Sequence, residues 1–157
     1  NANAYALERA RLRGIEAVCI SPREYETRAA FNEAFLAKVD GYQLDLIVLA
    51  GFLVAIPAAM TEKYEGRIIN IHPALLPNYG GKGMYGMKVH EAVIAAREKE
   101  SGITIHYIDE HYDKGTVIFQ ARCDISQADD PESLAQKIHA LEYEYFPKVI
   151  EETINKF

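Results

Sequence analysis

No stretch of this sequence stays apolar for the roughly 20 residues that a membrane-spanning helix needs, and its opening residues do not read as a signal peptide. Cysteine is scarce. Cys19 and Cys123 are the only two, each in a strand-like run, which reads as reduced, buried thiols of a cytoplasmic protein, with a single disulfide between them left open. Positive charge is also in deficit. Lys and Arg number 17 against 23 Asp and Glu, a net charge of −6, with a pI near 5.4. That balance argues against an electrostatic nucleic-acid footprint, although a local cluster of donors could still hold a small anionic metabolite. Repeats, low-complexity tracts and linkers are missing, so the 157 residues are read as one domain.

The motifs of several chemistries are missing too. The five histidines, His72, His90, His106, His111 and His139, form no H-E-x-x-H pair and have no cysteine partner at finger spacing, so no metal is expected. There is no G-x-S-x-G for a nucleophilic serine. "GKGMYG" (81–86) matches G-x-G-x-x-G, but the proline-bounded "PALLPNYG" precedes it where a dinucleotide site needs a strand. Gly80, Gly81, Gly83 and Gly86 read instead as hinges of a flap.

What is present is an alternation of strand and helix patterns. Asn3 is placed to cap a helix over 4–13 that ends at Gly14, "EAVCI" (16–20) reads as a short strand, and 24–39 as an amphipathic helix. "LDLIVLA" (44–50) has the continuous apolar pattern of a strand buried on both faces. Further helices are expected over 57–64, over 87–99 and from Pro131 onward, with strands at "RIINI", "GITIHYID" and "TVIFQARCDI". The expected fold is a three-layer α/β domain, a mostly parallel sheet with helices on both faces. In such sheets ligands sit at the carboxyl ends of strands. Residues 51–56, Asn70 with His72, and 109–113 are therefore expected to meet on one rim.

Asn70 and His72 lie two apart on a strand and can point the same way. An amide beside an imidazole can stabilise an oxyanion and move a proton. Taken alone, an Asn-x-His at a strand end more often satisfies a turn. Asp113, in the polar loop "DEHYDKGTV", could orient the imidazole and favour its charged form; spacing does not rank it against Asp109 or Glu110. His106, mid-strand, reads as a satisfied core histidine, and His90, early in a helix, as facing a partner.

"LDLIVLAGFLVAIP", "RIINIHPALLP" and "GITIHYIDEHYDKGTVIFQ" together are specific. With them the whole chain resembles the folate-dependent formyltransferase superfamily, and within it the phosphoribosylglycinamide formyltransferases, to which "AGFLVAIP" and the helix with "HALEYE" point. The resemblance implies a Rossmann-like formyltransferase fold, and transfer of a formyl group from 10-formyltetrahydrofolate, as co-substrate, to glycinamide ribonucleotide in purine biosynthesis. It implies small-molecule partners only, with no metal, nucleic acid or membrane. It makes Asn70, His72 and Asp113 the catalytic trio, with His72 as proton donor and Asp113 raising its pKa. Arg28, Leu53, Val54, Ala55, Ile56 and Asn70 would contact the folate, and Glu142 the ribonucleotide. A hydrolase that hands the formyl group to water, or a non-catalytic folate-binding module, are the alternatives. The family's opening strand and phosphate-binding loop have no counterpart in residues 1–157. The resemblance therefore implies one formyltransferase domain, truncated at its N-terminus and poorly active alone, with its phosphate-binding residues upstream.

Overall fold

The computed structural model describes residues 2–109, 113 and 115–157. Glu110 and His111, weighed above as an acid and as a metal ligand, lie outside the described residues. The chain divides into two compact units, residues 1–44 and 45–157.

The first unit carries α1 (Tyr5–Arg11), a 3-10 turn (Pro22–Glu24) and α2 (Arg28–Asp40). The N-cap of α1 is Ala4, one residue later than expected, and supplies no side-chain bond. Thr27 caps α2 by accepting from the Ala30 amide at 3.1 Å, satisfying one of the donors a helix start leaves open. Phe31, fully buried, stacks on Phe35 and meets Tyr25 edge-on. The strand expected at 16–20 is not formed. A strand exists through its ladder partner, and the sheet has none for this segment. Cys19 thus lies outside any strand, and both cysteines are free and half-buried rather than buried.

The second unit holds the sheet. Its order is β1 (Ile47–Ala50), β2 (Ile68–His72), β3 (Glu100–Tyr107) and β4 (Val117–Asp124), with α3 (Ala58–Lys63) between β1 and β2, α4 (Met87–Ala95) between β2 and β3, and α5 (Pro131–Ile154) at the end. The α/β class is as expected, but the strand directions are not. Only β1 and β2 are parallel; β2–β3 and β3–β4 are antiparallel. The segment between β3 and β4 is too short for the crossover that parallel pairing demands. Helix α4 leaves the chain at the end where β2 finished, since Thr104 of β3 lies opposite His72. Alternation of helix and strand does not by itself set direction.

One face of this sheet is the core. Ile71, Ile103 and Ile105 alternate onto it and pack with Val89 and Val93 of α4 and Leu134, Ile138 and Val149 of α5. The opposite face carries Asn70, His72, Thr104 and His106, the alternate positions of β2 and β3. Asp130 caps α5 through the Ser133 amide at 2.8 Å, with Pro131 at its first turn; a first-turn proline forfeits only a donor that had no helical partner.

Candidate active site

The polar face is built by the register of β2 on β3. Asn70 lies directly opposite His106, and His72 opposite Thr104. Pro73 then ends the strand, and the turn behind it is held by two side chains. The Thr104 hydroxyl donates to the Ala74 carbonyl at 2.7 Å and accepts from the Leu76 amide at 2.9 Å. Gln120 Nε2 donates to the Leu76 carbonyl at 3.1 Å and to Thr104 Oγ1 at 2.9 Å. Four bonds therefore fix where the chain leaves His72.

Asp113 arrives differently from expectation. Because β3 runs antiparallel, its last residues pair with the start of β2: Tyr107 lies opposite Ile69, and the Ile108 amide donates to the Ile68 carbonyl at 2.9 Å. The segment after β3 thus leaves from the opposite end of the sheet, and the three strand ends do not share one rim. Asp113 nevertheless stands over the polar face. Its Oδ2 lies 3.9 Å from His72 Nδ1 and its Oδ1 3.6 Å from His106 Nε2. Its Oδ2 also accepts from the Gly81 amide at 2.7 Å, which ties the glycine-rich loop to the same carboxylate. Asn70, His72 and Asp113 are brought together.

Hydrogen bonding orients the rings. His106 Nδ1 lies 3.0 Å from the Tyr107 carbonyl, which can only accept, so Nδ1 carries the proton and Nε2 accepts from Asn70 Nδ2 at 3.2 Å. One Asn70 amide hydrogen is thereby used, and the other is left for the cavity. His106 is fully buried, and burial pushes its pKa down, against the Tyr107 carbonyl and Asp113, which push it up. It is a satisfied core histidine, as expected, but it also orients Asn70 and faces Asp113. The signal for that was in the sequence: in "TIHYI" the polar residues Thr104 and His106 share one face of a strand whose other face is apolar.

Two cavities meet at these residues. A smaller one, about 270 Å³, is lined mainly by Leu49, Val54, Ala55, Ile56 and Ile108, with Thr61 and Asp109 as polar additions. A larger one, about 870 Å³, runs past His72, the glycine-rich loop, His90 and His139 to Glu142. Asn70 and Asp113 line both. Of the residues implicated in folate contact, Ala55 and Ile56 thus face the smaller space, Val54 lines both, and Leu53 lines the larger, as does Glu142. Arg28 belongs to the other unit, where its guanidinium lies over the Phe31 ring at 5.0 Å. Burial raises the Glu142 pKa, opposed by His139. His90 is buried rather than turned to a partner, with no hydrogen bond to Nδ1; burial lowers its pKa, helped by His139 and His72. Among the described residues no three His, Cys, Asp or Glu side chains are grouped to hold a metal. Nor, among the described residues, is any helix long and apolar enough to cross a membrane.

A sheet that presents an amide and an imidazole beside the carboxylate of Asp113, where two cavities meet, is suited to moving a group from one small molecule to another, and the formyl transferase family model matches residues 1–150. The chain belongs to that family. It is 36% identical over 151 residues to the phosphoribosylglycinamide formyltransferase of Bacillus subtilis, covering 96% of this chain and 75% of that protein. It is 37% identical to the trifunctional purine biosynthetic protein adenosine-3 of Drosophila melanogaster, covering 95% of this chain but 11% of that one. Among solved structures, the phosphoribosylglycinamide formyltransferase of Coxiella burnetii superimposes with a TM-score of 0.85 at 40% identity, over 95% of this chain and 68% of that one.

Proposed function

We propose that this protein transfers the formyl group of 10-formyltetrahydrofolate to the amine of glycinamide ribonucleotide, a step of purine synthesis. The observation that carries the reading is the sharing of Asn70 and Asp113 by two cavities. A transfer reaction needs both reactants to reach one set of groups, and holding them there makes a bimolecular step effectively unimolecular. The family and the names of the relatives support a formyl transfer to glycinamide ribonucleotide, and the folate donor is the co-substrate we propose for it. The smaller, mainly apolar space suits the flat ring of the folate, and the larger, with Glu142 and three histidines along it, suits the sugar and amine of the ribonucleotide.

The chemistry follows from the residues. The neutral amine attacks the formyl carbon, and the carbonyl electrons move onto oxygen. The free Asn70 amide hydrogen and the protonated His72 stabilise that oxyanion. Asp113 holds the imidazolium through charge. The intermediate collapses when the bond from carbon to the folate nitrogen breaks. The proton lost by the amine is delivered to that leaving nitrogen through the imidazole and carboxylate. No metal enters this scheme. Free thiols at Cys19 and Cys123 fit a reducing, cytoplasmic setting.

The test is a spectroscopic assay of tetrahydrofolate release on the full-length protein. Release is expected only when the ribonucleotide is present; equal release without it would make the protein a hydrolase and overturn the reading. Asn70→Ala and His72→Ala are each expected to lower kcat on the order of a hundredfold or more. Full turnover in both would reduce the trio to structure.

A further inference from the structure

Tyr79 stands in the left-handed region, at φ 55°, where a bulky residue is an outlier that its surroundings must enforce. Three contacts do so. Its half-buried ring packs against the core under α4 and α5. Its hydroxyl donates to Glu98 Oε1 at 2.7 Å, and that bond pushes the phenol pKa up to about 12, so the donor keeps its proton. Its carbonyl lies 2.8 Å from His72 Nε2. A carbonyl only accepts, so in the neutral ring Nε2 carries the hydrogen and Nδ1 is left as the lone-pair nitrogen. Nδ1 is the atom that faces Asp113.

We propose that Tyr79 is a positioning residue for His72: anchored by its ring and by Glu98, it presents its carbonyl to Nε2 and so commits the mobile proton of the imidazole to Nδ1, the nitrogen that faces Asp113. The inference rests on the reading of His72 as the proton carrier. It accounts for a tyrosine at a backbone position that glycine would occupy without strain, at the first residue of the loop that also bonds Asp113 through Gly81. The ring nitrogens are thus divided between anchor and chemistry. Nε2 holds the ring still while Nδ1 gains and loses the proton.

Histidine-labelled nitrogen NMR on the full-length protein reads the tautomer directly, with the His72 signals assigned by their loss in His72→Asn. The neutral ring is expected to carry its hydrogen on Nε2. Tyr79→Ala is expected to admix the other tautomer and to lower kcat about tenfold, part of what acid–base catalysis contributes, with KM for either substrate within about twofold. Tyr79→Phe keeps the ring but loses the Glu98 bond, and is expected to show the same shift more weakly, with kcat down about threefold. Glu98→Gln, which can still accept, is expected to behave like the wild type. A wild-type ring protonated on Nδ1 overturns the inference. So does a tautomer unmoved in both tyrosine variants, or an unchanged kcat in both. If Tyr79→Ala does not fold, Tyr79→Phe decides on the same two readouts. The tautomer needs no turnover to be seen: a wild type with Nε2 protonated but no formyl transfer would sink the proposed activity and leave the tautomer assignment standing.

Discussion

The Glu142 carboxyl sits half-buried on α5, along the larger cavity and near His139. Burial disfavours its charged form, so its pKa lies above the ordinary 4.5. The native state then binds a proton that the unfolded chain has already released. Stability is fully present below about pH 4.5 and is lost as pH rises through the raised native value, leaving a standing penalty at neutral pH. Glu142→Gln is expected to raise the urea midpoint at pH 7 and to flatten its decline above pH 4.5. If Glu142 also binds the ribonucleotide, the same variant should raise KM for that substrate about tenfold, the scale of one charge-assisted hydrogen bond. A variant neither stabilised nor impaired would remove both roles. At this scale the sequence was informative about residue type. The amide and imidazole were legible at Asn70 and His72, whereas Asp113 stood out from Asp109 and Glu110 only through the family resemblance. The proton positions were not, because the Tyr79 and Tyr107 carbonyls that set them are backbone atoms which every residue possesses.

Between β2 and α4 the chain must turn without losing the position of His72, and Thr104 is the pin. Its hydroxyl serves the Ala74 carbonyl, the Leu76 amide and Gln120 at once, on a side chain with no exposure. Thr104→Val keeps the shape but leaves a buried amide, a carbonyl and a carboxamide short of partners. The expected cost is about 2–3 kcal/mol in urea unfolding, while Thr104→Ser, which retains the hydroxyl, should recover most of it. Equal stability in Thr104→Val and wild type would show that the turn is held some other way. Periodicity placed β2, β3, β4, α3 and α5 close to their observed spans, since alternating and helical apolar patterns follow directly from which side of an element is buried. It misjudged elements whose existence depends on a neighbour. "EAVCI" has strand composition but no ladder partner in the sheet, and α4 stops at Ala95 rather than at 99.

Two buried histidines in the unit spanning 45–157 set how it meets acid. His90 and His106 both have pKa values lowered first by burial, so the unfolded chain takes up protons before the native one does. For a depressed group, stability is present above the ordinary value of 6.5 and is lost as pH falls through the native value. His106 is partly protected by Asp113, Asp109 and the Tyr107 carbonyl, which favour its charged form. His90 has only the opposing charges of His139 and His72. The urea midpoint is therefore expected to fall between pH 7 and pH 5.5, with a shallower fall in His90→Asn. A midpoint constant across that range would mean that neither ring resists its proton.

From the order of its residues alone this protein is an α/β chain of the formyltransferase kind. Strand and helix periodicity, the absence of membrane, metal and serine-nucleophile patterns, and the block around Asn70 and His72 are all local properties written in neighbouring residues. Direction and meeting were settled only in three dimensions. The antiparallel course of β3 is a matter of how the chain crosses the sheet, and it sends the segment after Tyr107 out at the far end. Asp113, joined to His72 through the fold rather than through sequence, still comes within 3.9 Å of it. The pairing of Asn70 with His106, the Tyr79 carbonyl on His72 and the two cavities sharing one carboxylate belong to that second kind. The first and last depend on contacts between residues far apart in the chain, and the Tyr79 carbonyl, seven residues from His72, on a turn that Thr104 and Gln120 pin from other strands; no local pattern of apolar and polar residues encodes that geometry.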